Sequence, residues 1–84
     1  MSHWIDELAE ALEVDALSSP ETERILRVAR DVAHRVERKD TPLAAFLLGM
    51  NVARRTASGI ARDVALDDAI ATTDALLPPG ADRP

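Results

Sequence analysis

The chain reads as an all-α protein, a small antiparallel bundle of four helices with the third at its centre. Three observations lead there. Every long segment repeats its apolar residues with the helical spacing of three to four, and none alternates with the strand period of two. Fifteen alanines stand against two aromatic residues, Trp4 and Phe46, and alanine favours helix whereas aromatics enrich strands. Serine–proline and threonine–proline pairs punctuate the chain where helices start.

The first helix is expected after Ser2 as cap, with Trp4, Ile5, Leu8 and Leu12 on one face and Glu7, Glu10 and Glu13 on another. Val14 to Ser18 then connects. Ser19 followed by Pro20 starts the second helix, because serine caps and a proline at the first helical position loses no needed hydrogen bond. Glu21 and Glu23 sit where the helix dipole favours acids. This helix is expected to run to about Arg38 and to bury Ile25, Val28, Ala29, Val32 and Val36. Asp40-Thr41-Pro42 repeats the start grammar, with Thr41 as cap and Pro42 first in the third helix, so that helices two and three form a tight antiparallel pair.

From Leu43 to Val52 the third helix is apolar nearly all round, which suits either the centre of a bundle or a face covered by a partner. Ala45, Gly49 and Ala53 form a row of small residues that lets another backbone approach. Ser58-Gly59 reads as a stop and restart. Yet Phe46, Met50, Ala53, Ala57, Ile60 and Val64 could also be one stripe of a helix running through Gly59, with Asp67 capping a short final helix. In either case Leu66, Ala69, Ile70, Thr73 and Leu77 make an amphipathic face that ends at Pro78. The expected organisation is one helical domain over residues 1–77 and a disordered tail over 78–84.

Composition narrows the function. At 84 residues the core is modest, and stability must be marginal. Absence of cysteine removes disulfides and thiolate metal sites and fits a reducing compartment. The opening residues have no signal-peptide pattern, and the longest uncharged stretch, Thr41 to Ala53, is too short for a bilayer, so a cytoplasmic protein with no membrane contact is expected. Charge is segregated: residues 1–23 hold seven acids and no lysine or arginine, residues 24–62 nine bases and three acids, and residues 63–84 five acids and one base. The basic middle either neutralises its acidic neighbours within the fold or serves a partner. An acidic chain overall is a poor nucleic-acid binder, and no amide side chain accompanies the arginines to read bases.

The second helix is the one place that invites a chemical reading. Arg27, Arg30, Asp31, His34, Glu37 and Arg38 lie opposite its apolar face, and spacings of four allow a ladder of ion pairs. The excess of arginine over that ladder suits a carboxylate, a phosphate or an acidic protein surface, since guanidinium offers a planar fork of donors. His34 and Glu37 are two ligands and do not make a metal site. No pocket chemistry, glycine-rich phosphate loop or nucleophile–base pair accompanies them, so neither a catalytic residue nor a bound cofactor is expected.

The run Ala29-Arg30-Asp31-Val32-Ala33-His34-Arg35-Val36-Glu37-Arg38, followed by Thr41-Pro42-Leu43-Ala44-Ala45-Phe46-Leu47-Leu48-Gly49, resembles a small actinobacterial helical domain family of unknown function. Trp4-Ile5-Asp6-Glu7-Leu8 and Val14-Asp15 match its opening helix. Glu13 departs from it, standing where such sequences carry a glycine, and Arg54 to Asp63 is longer and more basic. Members of that family stand alone or are fused to molybdenum cofactor guanylyltransferases, and are associated with formate dehydrogenase and its sulfur-transfer maturation factor. The resemblance implies a non-catalytic accessory protein or small subunit that docks on a molybdopterin-dependent formate dehydrogenase or its maturation machinery. The expected contacts are Arg27, Arg30, Asp31, His34, Glu37 and Arg38 with Leu48 and Val52 of the third helix. Two alternatives stand beside it: a homodimer, and a carrier of the molybdopterin guanine dinucleotide held on the arginines.

Overall fold

The computed structural model describes residues 4–79, which form four helices and no strand. They are α1 (Trp4–Ala11), α2 (Ser19–Arg35), α3 (Asp40–Ala57) and α4 (Arg62–Leu76). The expected cap at Ser2 and most of the expected tail, residues 80–84, lie outside the described residues.

The start of α2 is one residue earlier than its proline suggests. Ser18, not Ser19, is the cap: its hydroxyl accepts from the Glu21 amide at 3.2 Å, and the Ser18 amide donates to Glu21 Oε1 at 2.8 Å. That reciprocal pair satisfies two of the donors a helix start leaves open. The helix ends at Arg35, short of Arg38, with Val36 in a non-helical backbone and 47% exposed, so Glu37 and Arg38 belong to the turn. The turn closes through Asp40 N–H to Glu37 O and Thr41 N–H to Arg38 O, both 3.1 Å. It places Lys39 as cap of α3 and Asp40 as its first residue, with no side-chain cap. Thr41 is therefore inside α3, and its hydroxyl turns to the Ala29 carbonyl. Pro42 falls at the third helical position, where the missing N–H still costs no helical bond.

Helix α3 stops at Ala57. Gly59 has φ 102°, a left-handed conformation open to glycine, so the stripe from Phe46 to Val64 is broken and Phe46, Met50 and Val64 all face water. Helix α4 then begins at Arg62, well before Asp67, and runs as one piece.

Packing is confined to α2, α3 and α4, with α3 touching both others. Val28, Leu66 and Ile70 form the buried cluster, with Ile25, Leu48 and Val52 packed against it. Val32, Ala65 and Ala69 are buried beside them. Ion pairs set the directions. Glu21, Arg24 and Arg27 of α2 meet Arg62, Asp67 and Asp74 of α4 in ascending order, so these helices run the same way. Arg55, near the end of α3, meets Asp68 midway along α4, and earlier in α3 Ala44 and Leu47 line one hollow with Thr72 and Thr73 further along α4, so α3 runs against both. No Cα of helix α1 lies within 8 Å of a Cα in the other three helices. Trp4, Ile5 and Leu12 are exposed, and Leu8 is half-buried.

Candidate functional site

The basic middle of the chain mostly serves the fold. Arg62 donates from Nε to Glu21 Oε2 at 2.8 Å and from Nη2 to Glu21 Oε1 at 2.9 Å. The same guanidinium donates to the carbonyls of Asp15 (3.3 Å) and Ala16 (3.1 Å), tying the α1–α2 connector to α4. Glu21 is the one buried charged residue among those described. Burial pushes its carboxyl up, but the Ser18 amide, the Arg62 guanidinium and the Ser18 hydroxyl together outweigh this and hold it below the ordinary value.

Of the ridge residues, Arg27 is committed inward. It donates to Asp31 Oδ2 at 2.9 Å and grips Asp74 with both terminal nitrogens, at 3.1 and 3.2 Å. Asp74, then Asp31, raise its pKa further. Arg24 Nε lies 3.0 Å from Asp67 Oδ1 without hydrogen-bond alignment, so that pair is held by charge. Asp31 is largely covered and also has Arg30 Nε at 3.9 Å. Arg30 and His34 are exposed on α2, while Glu37 and Arg38 are exposed in the turn, with Lys39 Nζ 3.5 Å from Glu37. The structure thus divides the six polar positions: Arg27 and Asp31 brace α2 against α4, and Arg30, His34, Glu37 and Arg38 remain at one outer corner. Neither His34 nor Glu37 lines the groove beside α3 or the smaller hollow between α3 and α4, nor is any group of three potential metal ligands found among the described residues.

Leu48 and Val52 point inward, packed on the core cluster. They also line an open apolar groove of about 580 Å³ that runs beside α3, bounded by Val14 and Leu17 of the connector, Ile25 of α2 and Ile60. The opposite side of α3 carries what the sequence reading did not single out. Leu43, Phe46, Leu47 and Met50, at helical spacing, are 62%, 69%, 63% and 54% exposed. Arg54 continues that stripe and has no ion partner among the described residues. The signal was present in the all-round apolar character of α3; what periodicity left open was which side the bundle would take.

These features define a small all-α domain with a slight core, a heavily cross-braced α2–α4 contact and two apolar surfaces left open. The chain belongs to a family described as a domain of unknown function, DUF6457, whose profile matches residues 1–83. No curated protein and no solved structure matches it. No helix among the described residues is long and apolar enough to cross a membrane.

Proposed function

We propose that this protein is a non-catalytic docking module that binds a protein partner through the outer stripe of α3. The observation that carries this reading is the stripe itself: four large apolar side chains in solvent on one side of an 18-residue helix. A protein with so few buried residues has little reason to leave such a patch uncovered, and contiguous apolar surface on a small domain marks an interaction site. Arg54 on the stripe and Arg30 and Arg38 at the α2–α3 corner, with His34 beside them as a hydrogen-bonding group, supply positive charge that would steer an acidic surface, setting encounter rate and specificity while the apolar anchors set affinity. The resemblance noted above points to a molybdopterin-dependent formate dehydrogenase, or its maturation machinery, as that partner. The guanine dinucleotide reading has less support, because the fork of Arg27 is already spent on Asp31 and Asp74.

The test is binding of the purified protein to a purified molybdopterin formate dehydrogenase, compared with Leu47→Asp and with Arg30→Ala/Arg38→Ala. Leu47→Asp is expected to abolish binding with an unchanged melting curve, and the arginine pair to slow association mainly at low salt. Equal binding by Leu47→Asp removes the stripe from the account.

A further inference from the structure

Helix α1 poses a physical problem that the partner-docking reading leaves unsolved. It has eight residues, and isolated helices of fewer than about 12–15 residues are marginal in water. Its apolar residues Trp4, Ile5, Leu8 and Leu12 form one stripe, with Asp6, Glu7 and Glu10 on the other side, yet none of its Cα atoms comes within 8 Å of a Cα in the other helices and none of its residues is buried. A helix this short persists when something covers its apolar face.

The same chain carries an uncovered surface of matching kind. The groove beside α3 is lined by Leu48, Val52, Ile25 and Ile60, and Gly49 lowers its floor: a Cβ there would meet nothing within 4 Å. From Ala45 to Thr56 the groove follows α3 for roughly 16 Å, longer than the roughly 12 Å from Trp4 to Leu12.

The path between the two surfaces is fixed. Val14 N–H bonds to Ala9 O and Glu13 N–H to Glu10 O, both at 3.0 Å, and Glu13 sits at φ 61°. This is the double bond pattern that ends a helix through a left-handed residue. Two residues on, Arg62 holds the Asp15 and Ala16 carbonyls. The connector therefore forms one wall of the groove and aims α1 away from it. Folding α1 back into its own groove would undo this terminus; placing it in the groove of another molecule leaves every one of these bonds intact.

We propose that two copies of this chain exchange their first helices, the apolar face of each α1 lying in the groove beside α3 of the other. A two-fold arrangement makes both contacts at once and closes the assembly. The exchange uses the groove side of α3 and leaves the outer stripe free, so it rests only on the reading that open apolar faces here are interfaces.

Trp4 is the sole tryptophan, on the helix that would be exchanged, and reports directly on it. The experiment follows molecular mass by sedimentation and Trp4 emission across a concentration series for the full chain, Ile5→Glu and Gly49→Leu. Both changes fall on positions open in the single chain, so neither breaks its core. The expected result is a dimer whose Trp4 emission shifts to shorter wavelength as it forms, with each variant weakening dimerisation roughly thirtyfold. A monomer with concentration-independent short-wavelength emission means that α1 covers its own groove, and overturns the exchange. A monomer with water-exposed Trp4 overturns it too, while leaving partner binding through Leu47 standing. A dimer indifferent to both variants assembles through another face and is equally fatal.

Discussion

Arg62 and Glu21 meet in a two-pronged ion pair, with Nε to Oε2 at 2.8 Å and Nη2 to Oε1 at 2.9 Å, across 41 residues of sequence. Glu21 simultaneously closes the start of α2, and Arg62 simultaneously holds the connector that precedes it. One contact thereby joins three segments: the connector, α2 and α4.

Arg62→Ala should destabilise the protein by about 1–3 kcal/mol, because it strands a largely buried carboxylate and releases two carbonyls. For a domain whose core supplies only about 3–5 kcal/mol this is a large fraction. Arg62→Lys restores the charge but not the fork, and should recover only part of the loss. Urea unfolding of the three proteins measures it; an unchanged midpoint in Arg62→Ala would mean that the pair contributes nothing.

The same contact sets a pH dependence. The Glu21 carboxyl is held below its ordinary value of 4.5 in the folded protein, so the folded state binds its proton less readily than the unfolded state. Its contribution is fully present above pH 4.5 and is lost as pH falls through the lowered value. Urea midpoints taken from neutral pH downward should fall more steeply below that point in the wild type than in Glu21→Gln. Parallel curves would refute the linkage.

Glu13 occupies a backbone region that costs a side chain about 1 kcal/mol or more and costs glycine little. Glu13→Gly should stabilise the end of α1 by about 1 kcal/mol, roughly fivefold in the local opening equilibrium. Amide hydrogen exchange resolves this by position: protection should rise in α1 and stay level for the core of α2 and α4. A uniform rise across all helices would show that α1 is coupled to the core within one molecule.

Much of the fold was legible in the chain because its signals are local. The proline punctuation places the starts of α2 and α3 to within a residue or two, and Ser58-Gly59 marks the break before α4. Ser18-Ser19-Pro20-Glu21 even spells out the reciprocal cap, although the proline drew the start to Ser19. What resisted was everything decided by alignment between distant helices. Arg27 reads as one rung of a ladder within α2, and only the ascending register of α2 against α4 brings Asp74 to it. Arg62 has no local feature that singles it out; the seven acids of residues 1–23, a stretch that itself holds no lysine or arginine, were the one hint that a cation from elsewhere must come to them. For α3, helical spacing shows apolar residues on every side but not that Leu48 and Val52 turn inward while Phe46 and Leu47 stay outside.

The tie from Arg62 to the connector also has a meaning for how the chain is made. Synthesis delivers the Trp4 helix before the rest of the bundle, yet the side chain that aims it follows 46 residues after the Ala16 carbonyl it holds. Until then a sticky amphipathic segment trails from the ribosome with no place to settle, shielded from neighbouring nascent chains by little more than the repulsion among Asp6, Glu7 and Glu10.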